Sequence, residues 1–341
     1  MSRMNRGEFF GRIAALDEEG LRNVMWNLYW RGSATMRERI ESAIDPAGSK
    51  ARKDLMKEYV CPEDVLDEVG DFVALARSGA YLGRDRRVSP RERTRWRFTF
   101  QRLVSSAQEV LCGEDVEAGA AAMEQLIDLA CEMGAWNYFR SEDPVEAARF
   151  VVSDAATLLW TKVRDTYGFP GLAERALPQL IRWESRYGWT RFGAGLVGNK
   201  ETSLTDVLTG MLLRLPDMWV VFADRYLESL DRVARDDEAT PPPVSSSADK
   251  LNKRAEALAD WHLSLLMNLG KADGEARLQR LTRHPALGGP ALAFLQVRVA
   301  QRYGDLGSAR RLLRQALKRY PDDARLRVLA DEIEAPAAPQ Q

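Results

Sequence analysis

Residues 193–204 read GAGLVGNKETSL. Gly193, Gly195 and Gly198 spell the G-x-G-x-x-G of a dinucleotide-binding turn, and Lys200 follows as if a phosphate were expected. An α/β chain would place a strand before this turn and a helix after it, with the pyrophosphate on the helix N-terminus. The lead-in does not read as a strand: Leu177, Leu180, Ile181 and Glu184 recur at helical spacing. A Walker loop fails as well, because Asn199 separates Gly198 from Lys200 and Glu201 comes next. The stretch therefore reads as a loop between two helices, with Ser203 and Asp206 in a capping arrangement for the second. No cofactor is expected.

With that turn removed, the rest of the chain reads as all-α. In 62–78, Val65, Leu66, Val69, Phe72, Val73 and Ala76 form one apolar stripe. Pro62 at the first helical position and the acids Glu63 and Asp64 open it, and Ser78-Gly79 closes it. Ser89-Pro90 and Asp143-Pro144 repeat the start signal before expected helices at 90–112 and 144–166. Further helices are expected at 8–16, 18–30, 34–44, 50–58, 116–133, 171–186, 204–214 and 217–235. Leu21, Met25, Leu28 and Tyr29 are expected to pack into the first domain. The apolar runs at 150–152 and 219–221 are too short for strands and fit the helical stripes.

One stretch interrupts the pattern. Residues 235–250, RDDEATPPPVSSSADK, combine acids, three prolines and three serines, a composition that disfavours packed helix. It divides the chain into a helical-array domain at 1–235, α-solenoid-like in character, a linker at 236–249, and a second helical module at 250–335. Residues 336–341 form a tail.

The totals bound the chemistry. The 341 residues are 45% hydrophobic, enough for a large core, and the formal net charge is −1, so any attraction to a polyanion must be local. Cys61, Cys112 and Cys131 are scattered, with no CxxC spacing and only His262 and His284 to join them, which argues against zinc and disulfides. The cysteines are expected in the core of a protein from a reducing compartment. No run approaches the length of a membrane span, and the N-terminus turns acidic before a signal-like stretch develops, so a cytoplasmic, non-membrane protein is expected. Arginine far outnumbers lysine, which suggests a GC-rich, bacterial genome. G-x-S-x-G and H-E-x-x-H are absent, and the acids fall on solvated helix faces, so no enzyme is expected.

Residues 290–323 carry the most specific pattern. Ala300, Ala309, Leu313, Ala316 and Pro321 fall on the signature positions of a 34-residue frame starting at Pro290, with Gly304-Asp305 as the inner turn. This stretch resembles a tetratricopeptide repeat. The match departs from the family at Ala293, Gln296 and Val297, where Trp, Leu and Gly are usual. A degenerate copy lies upstream, and a third unit begins at Ala324 and resembles a capping helix. No family is recognised for 1–235. The resemblance implies stacked helical hairpins whose surfaces hold proteins or peptides. So short an array should dock against the larger domain or a partner.

Two arginine–aromatic stretches are the candidate surfaces. In 182–192, RWESRYGWTRF, Arg182, Trp183, Arg186, Tyr187, Trp189 and Arg191 have the composition of a protein-binding hot spot. In 84–102, RDRRVSPRERTRWRFTFQR, eight arginines meet two acids, with Trp96, Phe98 and Phe100 interleaved. Arg86, Arg87, Arg91, Arg93, Arg95 and Arg97 there could fork onto phosphates. They could instead lie around a buried Trp96-Phe100-Leu103 face or pair with acids of neighbouring helices. The function expected is a non-enzymatic protein–protein interaction or scaffold; the alternative is nucleic-acid association through 84–102.

Overall fold

The computed structural model describes residues 6–31, 37, 40, 44, 61–83, 86–133, 136–186, 195–212, 215–239 and 247–334. Tyr187, Trp189, Arg191 and Gly193, the expected helix 50–58, most of 34–44 and the tail lie outside these residues. The described residues are helical with no strand among them. By packing, the chain divides into Met1–Val60 and Cys61–Gln341. The Pro/Ser-rich stretch at 236–249 falls within the second of these units.

In the first unit, α1 (Arg6–Ala14) and α2 (Glu18–Arg31) are joined by a short turn, where Asp17 accepts the Gly20 N–H at 2.8 Å. Helix α2 buries none of its residues. Leu21, Met25 and Leu28 are exposed, against expectation, and Trp26 and Trp30 more so. Apolar residues lie on more than one side of this helix, and no described residue of the unit buries them.

The second unit opens with α3 (Pro62–Arg77), whose Val65, Val69, Phe72, Val73 and Ala76 are buried as the stripe requires. Helix α4 (Pro90–Cys112) starts with a full capping box: Glu92 N–H donates to Ser89 Oγ, and Ser89 N–H donates to the Glu92 carboxylate. Helix α5 (Val116–Met133) crosses α4 closely at Gly119. A Cβ there would lie 2.3 Å from the Leu111 nitrogen. Phe72, Tyr81, Trp96, Phe100, Phe139 and Phe150 make one aromatic core; the Trp96 and Phe139 rings stack at 4.0 Å. Of the cysteines, Cys131 is buried, Cys61 is half-buried and Cys112, at the end of α4, is exposed.

The expected helix 144–166 is two helices. Helix α6 (Pro144–Ala148) ends at Arg149, whose φ of 53° is left-handed, and α7 (Val152–Leu180) begins three residues later. The Glu201 carboxylate makes the second start possible by accepting Val152 N–H at 2.6 Å and Ser153 N–H at 2.9 Å. Helix α7 then kinks at Gly168 (φ 71°, ψ −175°) ahead of Pro170, and passes into a π-type turn over Ile181–Arg186.

The glycine loop holds a short helix α8 (Gly195–Gly198), followed by α9 (Leu204–Leu212). Leu196 and Val197 N–H groups donate to Glu146 at 3.2 and 2.8 Å. A carboxylate of the chain itself thus takes the backbone donors that a phosphate would seek there.

Helix α10 (Pro216–Ala239) extends through Asp236 and Asp237, and α11 starts at Ser247, so both ends of the Pro/Ser-rich stretch are helical. Then come α11 (Ser247–Ala257), α12 (Ala259–Asn268), α13 (Lys271–Thr282), α14 (Gly289–Arg302), α15 (Leu306–Arg319) and α16 (Ala324–Glu334). These helices pack on the preceding ones. Trp219 and Tyr226 of α10 meet Trp261 of α12 at 5.9 and 6.0 Å between ring centres, and α11 packs against the π-type turn. Helices α14 and α15 form a hairpin turned at Gly304 and capped by Asp305 Oδ1 on Ser308 N–H at 2.8 Å. Val297, Ala309, Leu313, Ala316, Leu326, Leu329 and Ile333 form the core beneath it.

Candidate anion-binding surface

Trp183 lies inside the protein, and Arg182 is half-buried beside it. Helix α7 and its π-type turn carry them against α5, where Arg182 Nε donates to Asp128 Oδ1 at 2.9 Å and its Nη2 to Glu124 at 2.5 Å. Trp183 is fully buried and its Nε1 donates to Asp128 Oδ1 at 2.7 Å. Gln179 extends the network by accepting from Trp160 Nε1 and donating to Glu124, both at 2.8 Å. Burial works against the charge on Arg182, but Asp128 and Glu124 outweigh it and raise its pKa. Burial raises that of Asp128, against the pull of Arg182 and the Trp183 hydrogen bond. These two residues hold α5 to α7. Arg186 lies in the π-type turn, while Tyr187, Trp189 and Arg191 lie outside the described residues.

Helix α4 distributes its residues differently. Trp96, Phe100, Leu103 and Ala107 turn inward. Arg91, Arg95 and Arg97 are exposed, as is Arg86 before the helix, and none of the four forms an ion pair among the described residues. Other arginines behave differently: Arg77 pairs with Glu132, Arg102 with Glu68, Arg175 with Glu117 and Arg277 with Asp224. Glu92, the acid within the stretch, is held by the Ser89 hydroxyl and N–H, which lowers its pKa. Arg87 is exposed and donates to Ser78 Oγ at 3.2 Å. The Arg97 guanidinium lies 4.7 Å from the centre of the exposed Phe98 ring.

Arg93 and Arg97 also line a cavity of about 370 Å³, together with Thr94, Trp96, Ser141 and Arg140. Arg140 comes from the connection between α5 and α6. Its Nε donates to the Leu82 carbonyl at 2.8 Å, and its Nη2 would sit 3.0 Å from a Cβ added at Gly83. Sequence reasoning missed this residue, since it stands 43 positions beyond Arg97 in a stretch with no basic pattern. It also passed over α15, whose 14 residues include Arg310, Arg311, Arg314, Lys318 and Arg319 and no acid. All five are exposed and form no ion pair among the described residues.

The two histidines serve the core. The Tyr226 hydroxyl and His262 Nε2 share a buried hydrogen bond of 2.8 Å. His284 Nδ1 accepts the Ala286 N–H at 3.1 Å, so its Nε2 carries the proton shared with Asp231 at 2.9 Å. Among the described residues, no three His, Cys, Asp or Glu side chains come together as a metal site, and no helix is long and apolar enough to cross a membrane. Compared with known proteins, the chain matches no family model, no curated protein and no solved structure.

Proposed function

We propose that this is a non-enzymatic binding protein that associates with nucleic acid through the arginine flank of α4. The observation that carries this reading is the absence of acid partners for Arg86, Arg91, Arg95 and Arg97 among the described residues, beside the exposed Phe98. A guanidinium without a carboxylate is free to fork onto a phosphate, and a nearby exposed ring offers a base a stacking face. Helix α15 supplies a second patch of the same sign, on a chain whose net charge is only −1. The test is fluorescence anisotropy with a labelled single-stranded oligonucleotide at low salt. Arg91→Glu with Arg95→Glu should weaken binding by about tenfold or more while the fold is kept. A wild-type protein that leaves the oligonucleotide free at low salt refutes the reading.

The second reading is a protein–protein interaction scaffold, with α12–α15 as tetratricopeptide-like hairpins in a helical array. A groove of about 330 Å³ between α13, α14 and α15 favours it. Its lining includes Glu275, Gln279, Gln296, Ser308 and Arg311, and the Tyr303 hydroxyl there is buried without a hydrogen-bond partner among the described residues. Such a hydroxyl gains by meeting a polar group of a bound chain segment. Peptides selected from a random library on the whole protein should lose binding with Gln296→Ala plus Arg311→Glu. Selected peptides that ignore this pair of substitutions count against the groove.

A further inference from the structure

Helix α15 carries its cations in a row. Arg310, Arg314 and Lys318 stand four residues apart, so they follow one another along a single ridge in steps of about 6 Å. All three are exposed, and none forms an ion pair among the described residues. Like charges at this spacing work against a helix. The helix dipole accounts for Lys318 and Arg319, which lie in the last turn, but not for Arg310 and Arg314 before them. The acids near the helix in sequence are engaged elsewhere. Asp305 accepts the Ser308 N–H, Asp322 pairs with Arg327, Asp323 with Arg325, and Glu332 with Arg298. Asp331 is exposed and forms no ion pair among the described residues, and the side chain of Glu334 lies outside them. Arg314 Nε donates to the Arg310 carbonyl at 3.4 Å, a bond that leaves both charges in place. Arg311 belongs to the neighbouring groove, where its Nη2 donates to Ser308 Oγ at 2.7 Å.

We infer that this row docks on the phosphate backbone of a double-stranded nucleic acid, without regard to its sequence. The inference extends the nucleic-acid reading of α4 to a second surface and stands on α15 alone. Three features of the helix select this occupant. An interfacial membrane helix turns its apolar face outward, but Ala309, Leu313 and Ala316 of α15 lie in the core. A protein-binding surface needs apolar or aromatic anchors, and beyond its cations the exposed side of α15 offers only Leu306, Gly307 and Gln315. A single strand is held by stacking its bases on rings, and α15 contains no aromatic residue. Tyr320, just beyond it, packs half-buried against the core, with the Arg319 guanidinium 5.4 Å from its ring centre. What remains is charge along a line of about 12 Å, suited to a duplex strand that presents one phosphate for about every 3.4 Å of axis. Such contacts fix position and read no bases.

The experiment uses the whole chain and fluorescence anisotropy over a range of salt concentrations. The labelled probes are two short DNA duplexes of unrelated sequence, an RNA duplex and a single strand; vesicles containing phosphatidylserine are followed by co-sedimentation. The two DNA duplexes should bind alike. Arg310→Gln, Arg314→Gln and Lys318→Gln together should weaken duplex binding about tenfold or more at intermediate salt. The logarithmic salt slope should become shallower by about 2.7, from three phosphate contacts at about 0.9 each. Glutamine is close to arginine and lysine in helix propensity. If the triple variant still fails to fold, Arg314→Gln alone should make the slope shallower by about 0.9. The tighter of the DNA and RNA duplexes identifies which one the row serves. Duplexes left free by the wild-type protein at low salt overturn the inference, as does a strong preference between the two DNA sequences. So does a triple variant that binds duplex like the wild type, or one that loses only vesicle binding. Duplex binding that depends on the row, with single-strand binding unmoved by Arg91→Gln plus Arg95→Gln, would refute only the α4 reading.

Discussion

At Gly119 the crossing of α4 and α5 leaves no space for a methyl group, because the contact is with the Leu111 backbone, which cannot rotate away. Gly119→Ala should therefore destabilise the protein by about 2–3 kcal/mol, seen as a lower urea midpoint at unchanged slope. His262 gives a second test at this scale. Burial lowers its pKa from 6.5 to about 3. The unfolded chain takes up a proton below its ordinary pKa, while the folded chain refuses it until far lower pH. This contribution to stability is thus complete above that ordinary value and is lost as pH falls toward the folded one. Between pH 7 and pH 5 the loss should be about 2 kcal/mol. His262→Gln, which keeps a partner for the Tyr226 hydroxyl, should flatten the stability profile across that window. A wild-type profile already flat there would mean that His262 is not buried as described.

Among the elements, α7 depends on residues distant in sequence at both ends. Glu201→Ala removes the carboxylate that caps its first turn and should cost about 1–2 kcal/mol. Amide exchange should accelerate first at Val152 and Ser153. Asp128→Ala leaves Trp183 Nε1 and Arg182 Nε without their acceptor. It should destabilise by about 3 kcal/mol, and Asp128→Asn by less, in the same urea assay. Equal effects would show that the carboxylate adds nothing beyond shape. These examples mark what sequence could show. The helix starts at Pro90 and Pro144 were legible because their caps are local, Ser89 with Glu92 and Asp143 with the Glu146 N–H, and the start at Pro62 because a proline and two acids open it without a side-chain cap. The break at Arg149 was not, because the cap that permits it comes from Glu201, across the chain. Arg182 and Trp183 have the composition of a hot spot, but Asp128 and Glu124, which draw them inward, stand more than fifty residues earlier. On α4, the helical period separated inward Trp96 and Phe100 from outward arginines. Whether those arginines met acids depended on neighbours that the period does not describe.

Across the whole molecule, the C-terminal helices are part of the second unit's core. Trp219, Phe222, Tyr226 and Leu230 of α10 are buried, with Trp261 of α12 against two of them. Truncation after Ala239 should therefore expose an aromatic face, giving a chain that binds a hydrophobic dye and loses cooperative melting. A truncated protein that melts sharply would mark the Pro/Ser-rich stretch as a domain boundary. Partner mapping is better done with surface substitutions in the full chain. The central claim, that Arg91, Arg95 and Arg97 of α4, which form no ion pair among the described residues, hold nucleic acid, is tested most directly by the salt dependence of binding to a single-stranded oligonucleotide. If about four phosphates are contacted, the logarithm of the association constant should fall with the logarithm of salt at a slope of about −3, and Arg91→Gln with Arg95→Gln should make it shallower by about 1.4. A slope near zero, or one that the double substitution leaves unchanged, would contradict it.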